Sequence, residues 1–175
     1  MHFSARKNLL VLALCLCVAP RLIQAQSAHQ PKTPPQDPST YMHVSAPLAQ
    51  SILVAVKAHH NDIVKLGLHA VPPGATDNVI IANIAPEKIG KKSSAKDLEG
   101  LAANKPVAAR LDKSQTFDLL IPITDKNGGD LDGGFVVMEV PYSKAATEED
   151  AVKIGVEIRD EVQGQIPSRT ALYQQ

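Results

Sequence analysis

The stretch FDLLIPITDKNGGDLDGGFVVMEVPYS, Phe117 to Ser143, places an acidic, glycine-rich segment between two apolar runs. Asp125, Asn127, Asp130 and Asp132 crowd that segment, so it wraps either a cation or a change of chain direction. A calcium loop of the EF-hand kind needs oxygen ligands at alternate positions, glycine at the sixth and glutamate at the twelfth. Counted from Asp125, the third position is Asn127, but the fifth is Gly129, the sixth Asp130 and the twelfth Val136. Too few oxygens remain to replace a cation's water, and the flanks read as strands. The hairpin reading uses more of the residues. Asn127-Gly128 is a strong signal for a type I′ turn, whose two central positions need positive φ. Gly133-Gly134 permits a bulge or a close backbone approach where the return strand starts.

Outward from this hairpin, hydrophobic periodicity predicts the other elements. Ser45 followed by Ala46-Pro47 predicts an N-cap and first turn. Leu48, Ile52, Val56 and His59 then form one helical stripe, flanked by Ala49 and Leu53. In IVKLGLHAVPPG, Val64, Leu66, Leu68 and Ala70 alternate with Lys65, Gly67 and His69, the pattern of a strand with one buried face. DNVIIANIAP is a short, nearly all-apolar strand, hence central. Ser94 and Asp97 have capping-box spacing and start a short helix edged by Leu98 and Leu101. PVAARLD and QTFDLLIPIT read as further strands. Thr147 caps a last helix, with Asp150 at its third position and Ala151, Ile154, Ile158 and Val162 as its buried stripe. The order predicts an α+β domain: an antiparallel sheet of about five strands packed by an N-terminal, a short inserted and a C-terminal helix.

The N-terminus reads as a secretory signal over residues 1–25: Arg6 and Lys7, an apolar run from Leu9 to Ala19, Pro20, then Ala25 before the cleavage point. That run is too short to span a bilayer, which takes about 20 residues. The expected mature protein is exported, periplasmic or secreted. Cys15 and Cys17 both fall within the signal, so the mature chain is disulfide-free and has no thiolate chemistry. Residues 26–41 are rich in Pro, Gln and Ser and read as a disordered linker. A single domain is expected over 42–175. Cleavage removes Arg6, Lys7 and Arg21 and no acid, leaving 15 of the 18 basic residues against 18 acids. A mildly acidic mature chain, from a full sequence with three Tyr, three Phe and no Trp, excludes, on this reading, nucleic acid as partner.

Four sets of residues could carry chemistry. His59, His60 and His69 are the clustered histidines, and His59 with His69 could ligate zinc or haem iron. His59 and His60 point about 100° apart on a helix and cannot easily share an ion. Ser93 or Ser94 could serve a small hydrolase, but no G-x-S-x-G surrounds them. The helix start after Lys91-Lys92 could hold an anion through free backbone N–H groups, with Lys92, Ser93 and Ser94 around it. Arg110 could meet a ligand carboxylate bidentately. No complete catalytic set is present, and no cofactor is implied.

IGKKSSAKDLEGL resembles the "I-G-K … D-L" stretch after the first strands of extracytoplasmic Cache domains, the PAS-like sensor modules of bacteria. The stretch from Phe117 to Ser143 resembles their closing hairpin: an apolar strand ending in "P-I", then D-x-x-G, then a Gly-led strand. The resemblance covers about Met42 to Tyr142. It implies a PAS-like/Cache-like fold, with a long N-terminal helix on a five-stranded antiparallel sheet. It also implies binding of a small organic ligand, a carboxylate or amine, in a pocket on the sheet face. Lys92, Ser93, Ser94, Arg110 and Tyr142 are the expected ligand-binding residues. A free-standing, non-catalytic sensor-like module would present its ligand to a membrane-bound signalling partner. The family's aromatic-lined pocket with an Asp has no clear counterpart here.

Overall fold

The computed structural model describes Asp37 and residues 39–174, all within one compact unit, Thr33–Gln175. The signal-peptide reading of residues 1–25, and most of the linker reading, lie outside the described residues. The described residues form an α+β fold, with three helices and a five-stranded antiparallel sheet. Helix α1 (Pro47–His59) leads into strands β1 (Lys65–Ala70) and β2 (Val79–Asn83). A 3-10 turn (Pro86–Lys88) and helix α2 (Ala95–Leu101) follow. Strands β3 (Val107–Leu111), β4 (Thr116–Thr124) and β5 (Asp130–Pro141) precede helix α3 (Glu148–Gly164) and a last 3-10 turn (Thr170–Tyr173). The sheet order is β2-β1-β5-β4-β3, so β2, expected to be central from its apolar run, is the terminal strand, its outer side covered by residues 90–93. Among the described residues, no helix is long and apolar enough to cross a membrane.

Strand registers assign the two faces. Leu66 pairs with Met138 and Met138 with Leu119; Leu68 pairs with Val136 and Val136 with Ile121. These rows are fully buried and face α1 and α3. On α3, Gly155 lets the helix come close: a Cβ there would stand 2.6 Å from the δ-methyls of Leu119 and Ile121. Gly155 therefore takes the place in the buried stripe expected of Ile154, which is only half-buried. Thr147 caps α3 as expected, its hydroxyl accepting the Asp150 N–H at 3.1 Å. Ser94 does the same for α2 through the Asp97 N–H. Ser45 is not a cap: α1 starts after Ala46 without a side-chain cap, and proline in the first turn removes one unmet donor.

The acidic stretch is the β4–β5 hairpin, but not through a type I′ turn. Asn127 has ordinary φ, and Gly128 alone of that pair is left-handed, at 84°. The Gly128 N–H bonds the Asp125 carbonyl at 3.0 Å, and the Asp125 N–H bonds the Gly129 carbonyl at 2.9 Å, giving a three-residue loop. The Asp125 carboxylate turns inward and accepts the N–H groups of Asn127 and Gly129, both at 2.8 Å. It closes the turn. Between Pro122 and Thr124 the register slips, and residues 131–134 bulge from β5 with Asp132 and Gly133 both at positive φ. The bulge is pinned: Val71 N–H to the Asp132 carbonyl at 3.1 Å, Asn78 Nδ2 to the Gly133 carbonyl at 2.8 Å, and Arg169 to the Asp132 carboxylate at 2.7 Å.

Before α1 the chain is already docked. Tyr41 bridges Lys91, the Lys92 N–H bonds the Thr40 carbonyl at 2.9 Å, and the Met42 N–H bonds the Gly90 carbonyl at 2.8 Å. The linker reading thus runs too far, because its last residues extend the β2 edge. Gly90 sits at φ 89°, and a Cβ there would collide with the Met42 carbonyl oxygen. Gly90→Ala is expected to cost about 2 kcal/mol from the left-handed backbone alone. Urea unfolding checks it, as a lowered midpoint at unchanged slope.

Candidate functional site

The sheet face opposite α1 and α3 carries a different composition. Period-2 alternation puts three rows there: Lys65–Glu139–Asp118, Gly67–Val137–Leu120, and His69–Phe135–Pro122. Asn83 pairs with Gly67 and Ile80 with His69 on β2. The 3-10 turn contributes Lys88, the segment beyond it Lys91, and α2 contributes Asp97; together these residues line a half-open hollow of about 280 Å³. Glycine at position 67 keeps the floor low, and a Cβ there would press on Asn83 Nδ2 at 2.6 Å. A smaller apolar hollow of about 170 Å³ adjoins it, lined by Leu98, Leu101, Pro122 and Phe135. The stacked rings of His69 and Phe135, 4.4 Å apart, stand between the two.

A chain of hydrogen bonds fixes the state of His69. Asn78 Nδ2 donates to the Gly133 carbonyl, so Asn78 Oδ1 is the acceptor facing Ser93. The Ser93 hydroxyl gives its proton to that oxygen at 2.6 Å. His69 Nδ1, 2.7 Å from Ser93 Oγ, must then carry a hydrogen and donate it. Nε2 is left as a bare acceptor with no partner among the described residues. Burial pushes the imidazole pKa down to about 4, against a small opposing pull from Asp97. His69, 6% exposed, therefore stands neutral in the wall of the hollow.

The other end is charged. Glu139 is buried at 3% exposure, is ion-paired with Lys65, and accepts the Thr116 hydroxyl at 3.3 Å. Beside it, the Asp118 carboxylate makes no hydrogen bond or ion pair among the described residues. Burial pushes its pKa up, as do the Glu139 and, more weakly, Asp97 charges, with Lys65 opposing.

Of the expected ligand residues, Ser93 alone belongs to this wall, and only through His69. Lys92 pairs with Asp77 at 2.9 Å, and Ser94 is spent on the α2 cap. Arg110 lies on the helix-facing side of edge strand β3. It pairs in register with Phe117 and covers Tyr142 at 4.5 Å, while the Tyr142 hydroxyl donates to Asp112. Neither Arg110 nor Tyr142 reaches the hollow. His59 and His69 are not brought together either. His59 ends α1 on the other side of the sheet, exposed, where it and His60 grip the two oxygens of Glu161 at 2.7 Å each. Those two bonds hold the Glu161 carboxyl below its usual range. Among the described residues no group of His, Cys, Asp and Glu is arranged to hold a metal.

Sequence reasoning missed Lys65, Lys88, Asn83, Asp118 and Glu139; it named Asp97 only as a capping residue and Lys91 only as preceding a helix start. Two of these left a signal, since Asp118 is the lone acid of β4 and Glu139 the lone acid of the apolar run from Phe135 to Pro141. The one-buried-face reading of β1 also needs correction. Val64 is 52% exposed and precedes the strand, whereas Gly67 and His69, assigned outward, are covered.

No family model matches the chain, and no curated protein does. Among solved structures, the fold is similar to the Agobacterium tumefaciens repressor BlcR, at 16% identity over 69% of this chain and 68% of that one, with a TM-score of 0.44. It is also similar to the C-terminal domain of the E. coli transcriptional regulator KdgR, at 10% identity over 67% of this chain and 95% of that one, with a TM-score of 0.41. Neither is an extracytoplasmic Cache domain, so the Cache-like resemblance is corrected. The sensor module built on it and its membrane-bound signalling partner fall with it, and the exclusion of nucleic acid, read from charge and aromatic content, is corrected as well, both neighbours being named as regulators of transcription.

Proposed function

We propose that this chain is a small-molecule-binding domain whose site is the hollow on the polar face of the sheet. The observation that carries this reading is His69. A buried imidazole, oriented by Ser93 and Asn78, carries an unused acceptor in the wall of a half-open hollow of about 280 Å³. Pockets for small ligands combine such space with a few fixed polar groups. Binding, rather than covalent turnover, is supported by Ser93, whose proton is committed to Asn78. A hydroxyl so engaged is a poor nucleophile.

Val137 stands in the middle row of the floor. A thermal-shift screen of small polar metabolites should find ligands that stabilise the wild type by several degrees. Val137→Phe, which fills the hollow, should abolish that stabilisation. Ligands that stabilise both proteins equally, or none found at millimolar concentration, would sink the reading.

A further inference from the structure

The charges around the hollow are segregated. Lys88 and Lys91 come from the segment that follows β2, at one edge of the sheet. Asp118 on β4 and Asp97 on α2, which packs on β4, come from the opposite side. Lys65 and Glu139 neutralise each other at the floor, leaving Asp118 as the carboxylate without a matched cation. Lys88 and Lys91 likewise make no ion pair among the described residues. His69 Nε2, in a side chain 6% exposed, adds an acceptor that only a donor in the hollow can use. Asp97 lines the hollow together with His69 and Asp118, and its charge is felt by both.

We propose that the hollow takes a small zwitterion of the amino-acid class, its ammonium held by Asp118 and Asp97 and its carboxylate by Lys88 and Lys91, with His69 Nε2 accepting a further ligand N–H or O–H. This rests on the binding reading above and names its ligand. Three strand spacings, about 14 Å, separate β2 from β4. The side chains reaching inward close most of that distance, which suits a ligand with its two charges a few bonds apart. An anion alone would leave Asp118 and Asp97 repelling each other. A cation alone would leave the lysines unanswered.

Calorimetric titration of the full chain tests this with the twenty common α-amino acids, and with the deaminated and decarboxylated analogue of every one that binds. At least one amino acid should bind, and each of its analogues should bind at least tenfold more weakly. Asp118→Asn should weaken the amino acid at least tenfold and leave the deaminated analogue unchanged. Lys88→Gln with Lys91→Gln should weaken the amino acid and spare the decarboxylated one. Circular dichroism establishes that each variant is folded. An analogue carrying one charge that binds as tightly as the zwitterion overturns the proposal while leaving the pocket in place, provided Val137→Phe blocks it. Absence of binding by every amino acid overturns the zwitterion alone, since the wider metabolite screen judges the pocket separately. Binding that Val137→Phe does not disturb overturns both.

Discussion

Leu131→Ala is expected to lower the free energy of unfolding by about 3 kcal/mol, although Leu131 lies in the most polar stretch of the chain. It is fully buried and belongs to the main core, together with Ile123 and Val136. The bulge that turns it inward also brings Gly134 so close that a Cβ there would stand 2.7 Å from the Leu131 Cβ. Truncation removes apolar area and leaves a void that the pinned bulge cannot easily close, because Val71, Asn78 and Arg169 all hold its backbone or its carboxylate. Chemical denaturation provides the measurement. Leu98→Ala, at a residue 42% exposed, serves as control and should change stability by less than about 0.5 kcal/mol. A Leu131 loss as small as the control's would mean that the hairpin tip is a solvated reversal with no anchor.

The second large effect is a loss of stability on mild acidification, traceable to His69. Its folded-state pKa is lowered from 6.5 to about 4 by burial. Between those values the unfolded chain binds a proton that the folded chain refuses, so stability must fall as pH falls. With about 1.4 kcal/mol for each tenfold change, the full loss across the window is about 3 kcal/mol. It is complete near pH 4. Asp62 and Glu161, whose carboxyls are held low by Lys144 and by the two histidines, lose stability only further into acid. Asp118 works in the other direction. A carboxyl with raised pKa favours the folded state as it protonates, which offsets part of the loss at the acid end. Urea midpoints from pH 7 to pH 4 should therefore fall more steeply for the wild type than for His69→Gln. Parallel curves would mean that the ring is protonated inside the fold.

Much of the architecture was legible in short-range pattern. Thr147 with Asp150 and Ser94 with Asp97 announced two helix starts, and the structure has both. The glycine-rich acidic stretch announced a hairpin, and β4 and β5 form one. The turn type was not legible. Asn-Gly supports more than one loop, and here the inward Asp125 carboxylate, bonded to two amides, selects a three-residue turn with one left-handed glycine. The site was mostly hidden. Arg110 is an isolated cation on a strand, the kind of residue that suggests a ligand, yet its register with Phe117 puts it over an aromatic pair on the wrong face.

The sequence by itself determined most of the secondary elements, the α+β class and the inward residues Leu66 and Leu68, because caps and period-2 alternation act over a few residues. Only the tertiary structure decided which polar residues meet. Lys65, Glu139 and Asp118 become neighbours through pairings that join positions 74 and 21 residues apart. His69 Nε2 becomes an acceptor only because a chain of bonds from Gly133 through Asn78 and Ser93 ends on its Nδ1. Strand order and register are set by the burial of whole faces at once, so a site made across strands exists only after the sheet has closed.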